Sequence, residues 1–180
     1  MTLRGRDIVC LSTHYWDERR YRKQEFMERF ARTNRVLYVE PSFSMTRRPE
    51  PHLRGVARNR FLRPRLERRG ENLHLLSPPR GLIKWTDPRV EQANYRWFAG
   101  VIRDAAADLG FRDTVLWIYR PAFAGAVGQI PHRSLVFDLV DDLAAYGGAG
   151  SHVESQVLSL IRGSDLLVVT AKPLLERYGG

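Results

Sequence analysis

The sequence has a single cysteine and no long apolar run. Because Cys10 is the one cysteine among 180 residues, neither an internal disulfide nor a cysteine metal cluster can form within the chain. No segment approaches the roughly 20 consecutive apolar residues that cross a bilayer, and the N-terminus lacks the apolar core of a secretory signal. We therefore expect a cytoplasmic protein in which Cys10 is a small buried residue.

Glycine-rich phosphate-binding loops are also missing. The first apolar run, from Arg6 to Ser12, leads into the loop 12–17, which reads Ser-Thr-His-Tyr-Trp-Asp. This loop has neither the Gly-x-Gly-x-x-Gly pattern nor a Walker lysine, so the backbone could not easily approach a pyrophosphate there. Direct binding of a dinucleotide or of ATP by this chain is therefore disfavoured.

Positive charge is concentrated in one segment. The chain carries a net charge of +9, and residues 44–69 hold nine arginines against two glutamates, which is +7 of that total. The segment also contains several prolines and is too long for an idle connection in a compact domain. We interpret it as a basic loop that meets an anionic partner, such as phosphates or an anionic membrane surface. A solvated loop with no partner is the alternative.

Six apolar runs alternate with amphipathic segments along the chain. This order predicts an α/β fold: a Rossmann-like parallel sheet of about six strands with helices on both faces, forming a single domain over residues 1–180. The predicted strands are Arg6–Ser12, Arg35–Glu40, Asn72–Ser77, Thr114–Tyr119, Ser134–Asp138 and Asp165–Thr170. The predicted helices are Glu18–Arg32, Pro88–Leu109 with its end at Gly110, Ser151–Arg162 and Lys172–Tyr178, with a short helical connection after Arg120.

Three carboxylates stand where the fifth predicted strand would reach the edge of the sheet. Asp138, Asp141 and Asp142 close the apolar run that begins at Leu135. Parallel sheets bind ligands beyond the carboxyl ends of their strands, so this is a candidate site. Two alternatives remain open: the pair 141–142 caps a helix, or all three carboxylates hold Mg²⁺ in a metal-dependent hydrolase. Asp138 is expected to form a local hydrogen bond.

The loop after the first predicted strand offers a second set of candidates. His14, Tyr15 and Trp16 are side chains suited to holding a polar ring or a sugar. A purely structural role for the histidine is the alternative.

Several ordered motifs resemble those of bacterial glycosyltransferases. The relevant motifs are Ser12-x-His14, Trp16-Asp17, Arg22-x-Gln24-x-Phe26-x-x-x-Phe30-Ala31, the run from Arg35 to Pro41, Phe-Asp-Leu-Val-Asp-Asp over 137–142, and the run from Ser164 to Thr170. Together they resemble the N-terminal, acceptor-binding domain of GT-B fold glycosyltransferases of the teichuronic-acid type and of the xanthan-type membrane-associated glucuronosyltransferases.

The resemblance implies transfer of a sugar from a nucleotide-sugar donor to a glycan or lipid-linked acceptor in cell-surface polysaccharide synthesis. It implies that Asp141 is the general base, which would remove the proton of the acceptor hydroxyl. The residues expected to bind the acceptor are His14, Tyr15, Trp16, Arg22, Gln24, Glu40, Tyr119, Arg120 and Asp142. The donor and its nucleotide are expected in a C-terminal domain absent from these residues, so we expect no cofactor, no metal and no transferase activity in this chain alone.

The resemblance also gives the basic segment a use. A polyprenyl-diphosphate-linked acceptor, or the anionic inner face of the cell membrane, would be met by Arg58, Arg60, Arg63 and Arg65. A nucleic-acid-binding module is the competing interpretation of so basic a chain. It is disfavoured because the arginines fall in one proline-broken segment and no helix-turn-helix, RNP or zinc pattern is found.

Overall fold

A computed structural model describes residues 3–42, 63–79, 88–142 and 151–179. In that part of the chain, seven strands form one sheet. The strands are β1 Asp7–Leu11, β2 Arg35–Val39, β3 Arg65–Arg68, β4 Leu73–Ser77, β5 Val115–Ile118, β6 Ser134–Leu139 and β7 Leu166–Val169. The α-helices are α1 Arg22–Phe30, α2 Pro88–Asp108, α3 Ser151–Gly163 and α4 Lys172–Tyr178, and a 3-10 helix spans Pro121–Gln129.

The order of the strands is that of a Rossmann-like domain. They lie in the order β3-β4-β2-β1-β5-β6-β7, and every neighbouring pair is parallel except β3 with β4. Counted along the chain without β3, the parallel strands run third, second, first, fourth, fifth, sixth, which is the Rossmann order. This order reverses between β1 and β5, so a crevice for a ligand is expected beyond Leu11 and Ile118. The predicted α/β class is confirmed.

The sheet is covered on both faces. On one face, Met27 of α1 packs with Ile8, Cys10 and Trp117 of the sheet. On the other face, α2, α3 and the 3-10 helix bury a larger apolar cluster that includes Phe98. All residues of β1 and of β5 are buried, because a parallel strand inside a doubly covered sheet has no solvent-facing side.

Helix ends follow local chemistry. α2 ends as predicted before Gly110, whose φ of +64° allows the left-handed turn that closes a helix. α1 begins at Arg22 and not at Glu18, because the preceding residues form a loop of their own. The side-chain oxygen of Gln24 accepts the backbone N–H of Tyr21 at 3.1 Å and so caps the first turn.

One part of the predicted basic loop is a strand. β3 pairs antiparallel with β4, and its first residue, Arg65, lies opposite Ser77, the last residue of β4. Its sequence, Arg-Leu-Glu-Arg, has almost no apolar signal, and only backbone pairing at a sheet edge makes it a strand. The interpretation of 44–69 as one continuous loop is therefore corrected at residues 65–68. Residues 44–62 of that segment lie outside the described residues.

None of the helices in the described ranges is both long enough and apolar enough to cross a membrane.

Candidate functional site

The loop after β1 is fixed by hydroxyl groups at the carboxyl end of the sheet. The Ser12 hydroxyl lies 2.6 Å from the phenol oxygen of Tyr38 on β2 and accepts the backbone N–H of His14 at 3.1 Å. The Tyr38 hydroxyl also donates to the carbonyl of His14 at 2.8 Å. Because Ser12 and Tyr38 are buried, the backbone of His14 is held at a defined height above the strands.

The imidazole of His14 contacts the first turn of α1. Its Nδ1 lies 3.1 Å from Nζ of Lys23 and 3.0 Å from the hydroxyl of Thr13, and Lys23 also donates to that hydroxyl. The ring packs on Tyr21, with centroids 4.1 Å apart. Burial, and then the charge of Lys23, lower the pKa of His14 below its usual value, which favours the neutral ring. One side of the imidazole is thus held by the protein.

Asp141 lies at the same edge of the sheet. It is exposed and follows the end of β6 by two residues. Its charge is close enough to raise the pKa of both His14 and Lys23, in opposition to the larger effect of burial. The structure therefore places His14 and Asp141 at the same edge of the sheet, near enough for the charge of Asp141 to act on the imidazole. The catalytic role of Asp141 stays a prediction.

Asp138 has a different environment from Asp141, although three residues separate them. It is fully buried, forms an ion pair with Arg22 of α1, and accepts the indole N–H of Trp117 at 3.2 Å. Burial raises the pKa of the Asp138 carboxyl, and the charge of Arg22 and the hydrogen bonds from Arg22 and Trp117 oppose that rise. The expectation of a local hydrogen bond is wrong, since Arg22 is 116 positions away in sequence.

The third carboxylate faces the C-terminal helix. Asp142 pairs with Arg177 of α4 at 2.7 Å, and Arg177 also lies 3.5 Å from Glu154. Asp138 is paired with Arg22 of α1, and Asp142 is paired with Arg177 of α4. These two carboxylates and that of Asp141 therefore do not converge on one point. Within the described ranges, no group of three His, Cys, Asp or Glu side chains could hold a metal ion. Asp138, Asp141 and Asp142 therefore do not form the shared Mg²⁺ site that the hydrolase alternative assigns to them.

Five of the predicted acceptor-binding residues are buried, namely Tyr15, Trp16, Gln24, Glu40 and Tyr119. Tyr15 is 1% exposed and Trp16 packs edge-on to Tyr38. The amide of Gln24 donates to the carbonyls of Tyr15 and Arg19, and both carboxylate oxygens of Glu40 accept hydrogen bonds, from Trp16 N–H and from a serine hydroxyl on β4. In this structure the first four of these side chains build the loop and do not line its outer surface.

The remaining predicted contacts divide between the two faces of the sheet. Arg22 is about one-third exposed but is paired with Asp138. Tyr119 is buried, and Nζ of Lys23 lies 5.1 Å from the centroid of its ring. Arg120 reaches the other face, where its guanidinium lies 5.8 Å from the Tyr95 ring centroid and lines a small cavity with Ser12.

The basic residues are only partly described. Arg58 and Arg60 lie outside the described residues. Arg63 and Arg65 are exposed, and Arg65 pairs with Glu67 on the same strand. Because β3 begins where β4 ends, Arg63 and Arg65 stand at the same edge of the sheet as His14 and Asp141.

Lys23 and Thr13 are functional candidates that the motif analysis did not single out. A signal for Lys23 was present: it stands four residues before Met27 and seven before Phe30, on the apolar face of α1. A lysine on the buried face of a short helix needs a partner at the end of its side chain. Nothing comparable in the sequence marks Thr13.

No protein-family model and no curated protein sequence matches this chain. Among solved structures it is similar to sucrose-phosphate synthase from Thermosynechococcus elongatus, a GT-B glycosyltransferase, with a TM-score of 0.60 and 9% identity. The alignment covers 96% of this chain and 45% of that one, so the chain spans less than half of the synthase. A second structure of that synthase gives a TM-score of 0.54 at 10% identity and covers 96% of this chain and 82% of that chain. The fold is therefore that of a Rossmann-like GT-B domain.

Proposed function

We propose that this chain is the acceptor-binding domain of a glycosyltransferase that moves a sugar from a nucleotide-sugar donor to a glycan or lipid-linked acceptor in cell-surface polysaccharide synthesis. The observation that carries the proposal is the position of exposed Asp141 at the same edge as His14, the carboxyl edge of a sheet with the Rossmann strand order. Similarity to a GT-B glycosyltransferase fold supports it. The teichuronic-acid-type and xanthan-type motifs make the cell-surface assignment part of the proposal.

Asp141 acts as general base in this proposal. Its carboxylate takes the proton of the acceptor hydroxyl, and the hydroxyl oxygen attacks the anomeric carbon of the donor sugar. The bond between that carbon and the phosphate oxygen breaks, and the nucleoside diphosphate leaves with the bonding electrons. The proton on Asp141 then passes to solvent, which an exposed side chain permits.

A second domain supplies the donor site in this proposal. The loop after β1 contains no glycine, so its backbone could not easily approach a pyrophosphate, and Tyr15 and Trp16 are buried within it. We therefore assign the acceptor hydroxyl, and not the donor diphosphate, to the edge that holds His14 and Asp141.

The basic segment places the reaction at a membrane surface in this proposal. Arg63 and Arg65 stand at the same edge as Asp141, and Arg58 and Arg60 belong to the same segment. Arginines near an anionic leaflet are worth about 1 kcal/mol each. They would hold the protein on the inner face of the cell membrane, where the diphosphate of a polyprenyl-linked acceptor lies.

Ligand titration of the 180-residue chain tests the proposal. We expect an acceptor glycan panel to contain a ligand that shifts the NMR signals of His14 and Asp141, and we expect nucleotide sugars to leave them unchanged. Asp141→Asn should weaken glycan binding, while Asp108→Asn, an exposed carboxylate at the end of α2, should not. With a donor domain supplied, Asp141→Asn should lower kcat by about 100-fold or more with folding unchanged.

Three results would contradict the proposal. Turnover of a nucleotide sugar by this chain alone would place the donor site within it. Binding of Mg²⁺ in calorimetry would restore the hydrolase, and tight oligonucleotide binding with a steep salt dependence would favour the nucleic-acid module.

A further inference from the structure

Lys23 is a buried lysine whose ammonium is directed to a histidine. It is 7% exposed, and its Nζ lies 3.1 Å from Nδ1 of His14 while donating to the hydroxyl of Thr13. Among the described residues it forms no ion pair within 4 Å, although Asp138 and Asp141 are near enough for their charges to raise its pKa. A buried ammonium carries a large desolvation penalty unless it gains specific contacts. Lys23 has such contacts with the imidazole of His14 and with the hydroxyl of Thr13.

The chemistry of the two groups decides which nitrogen of His14 carries the proton. An ammonium has three donors and no lone pair, so it can only donate to Nδ1. A neutral imidazole that accepts at Nδ1 must carry its hydrogen on Nε2. The hydroxyl of Thr13, which accepts from Lys23, can turn its own hydrogen toward the same nitrogen.

We infer that Lys23 is a positioning residue that fixes His14 as the Nε2–H tautomer, so that His14 donates a hydrogen bond to the acceptor hydroxyl oxygen while Asp141 removes its proton. The role toward the acceptor rests on the proposed function, whereas the tautomer does not. The two side chains then act differently on the acceptor hydroxyl: the Nε2–H of His14 donates a hydrogen bond to its oxygen, and the carboxylate of Asp141 accepts its proton.

The surrounding charges agree with a neutral donor. The groups that face His14 are Lys23 from α1, Glu18 from its own loop, and Asp141 from the end of β6, with the ring of Tyr21 stacked on it. Burial and Lys23 lower the pKa of His14, and the two carboxylates only oppose this. Protonation of Nδ1 would also place its hydrogen against the ammonium of Lys23. His14 is therefore a poor base, which leaves that task to Asp141.

The experiment is ¹⁵N NMR of histidine-labelled protein without any ligand, across a pH titration. The signals of His14 are assigned by their loss in His14→Gln. In the unaltered protein at pH 7 we expect Nδ1 to be unprotonated and Nε2 to carry hydrogen. Lys23→Met keeps an unbranched four-atom side chain and removes the ammonium donor. We expect it to mix the two tautomers and to raise the pKa of His14, because a nearby positive charge is lost.

Matched variants keep the test independent of folding. Lys172→Met removes an exposed lysine on α4 and should leave the His14 signals unchanged. Thr13→Val removes the hydroxyl that shares Nδ1 and should move the tautomer in the same direction as Lys23→Met, which provides a second variant if Lys23→Met fails to fold. Against a glycan ligand, Lys23→Met should lose about 10-fold in affinity, the net value of one hydrogen bond.

Several outcomes would overturn the inference. A cationic His14 at pH 7, an Nδ1–H tautomer, or unchanged spectra in both Lys23→Met and Thr13→Val would each remove the positioning role. A changed tautomer with unchanged glycan affinity would show that the tautomer does not serve the acceptor. These results differ from failure of the proposed function itself, in which no glycan binds although the ligand-free spectra are as expected.

Discussion

The ion pair of Asp7 and Arg35 at the amino edge of the parallel sheet contrasts with His14 and Asp141 at its carboxyl edge. At the amino edge, Asp7 accepts two hydrogen bonds of 2.7 Å from Arg35, and Arg35 also donates to the carbonyls of Leu109 and Gly110 after α2. These groups satisfy one another. At the carboxyl edge, the Nε2 side of His14 and the carboxylate of Asp141 have no hydrogen-bond or ion-pair partner among the described residues.

The contrast separates stability from ligand binding. The hydrogen-bond network at the amino edge joins β1, β2 and the end of α2, so its loss should lower the free energy of unfolding. Open polar groups at the carboxyl edge add little to stability, because water already satisfies them. Exchanging side chains at the two edges should therefore have different consequences.

The largest expected effect concerns membrane binding by the basic segment. Replacing Arg58, Arg60, Arg63 and Arg65 together with glutamine should weaken binding to anionic vesicles by up to about 4 kcal/mol at low salt. The measurement is vesicle co-sedimentation at several ionic strengths. The control removes four exposed arginines from the amino edge, namely Arg29, Arg32, Arg103 and Arg112. If both sets of replacements weaken vesicle binding equally, the net charge of the protein determines binding and the position of the arginines does not.

The next effect concerns stability at the amino edge. Arg35→Met leaves the carboxylate of Asp7, whose side chain is 8% exposed, without its charged partner. Because Arg35 is itself nearly half exposed, we expect a loss of about 2 kcal/mol in the free energy of unfolding, measured in urea. Glycan affinity should not change. Arg133→Met, which breaks a 3.8 Å ion pair between two exposed side chains, should cost less than about 0.5 kcal/mol. An equal cost for both variants would contradict a stabilising role for the hydrogen-bond network at the amino edge.

The smallest effect is a dependence of stability on pH. Burial raises the pKa of the Asp138 carboxyl in the folded chain, so its stabilising contribution is complete below the unfolded-state pKa of about 4 and declines as pH rises through the folded-state pKa. The unaltered protein should therefore lose stability relative to Asp138→Asn between pH 4 and pH 7. Urea unfolding at several pH values measures this slope, with Asp108→Asn as control. If the stability of the unaltered protein relative to Asp138→Asn stays constant or increases as pH rises, the effect of burial on Asp138 is contradicted.

Much of the fold could be predicted because the parallel strands are apolar runs bounded by polar residues. β3 could not, since a strand at a sheet edge needs only backbone pairing and leaves its side chains in solvent. At the site, the positions of His14 and Asp141 follow from strand ends and topology. The burial of Tyr15 and Gln24 could not be predicted, because it depends on how the loop folds back over α1.

The antiparallel pairing of β3 with β4 bears on how freely the sequence before β3 can change. Ser42 follows the end of β2, and Arg65 lies opposite the end of β4, so the stretch between them leaves and rejoins the sheet at one and the same rim. Doubling the length of such a stretch costs only about 0.6 kcal/mol in chain entropy. We expect that its 22 intervening positions, 43–64, could be exchanged for another sequence while the strands of the sheet keep their register.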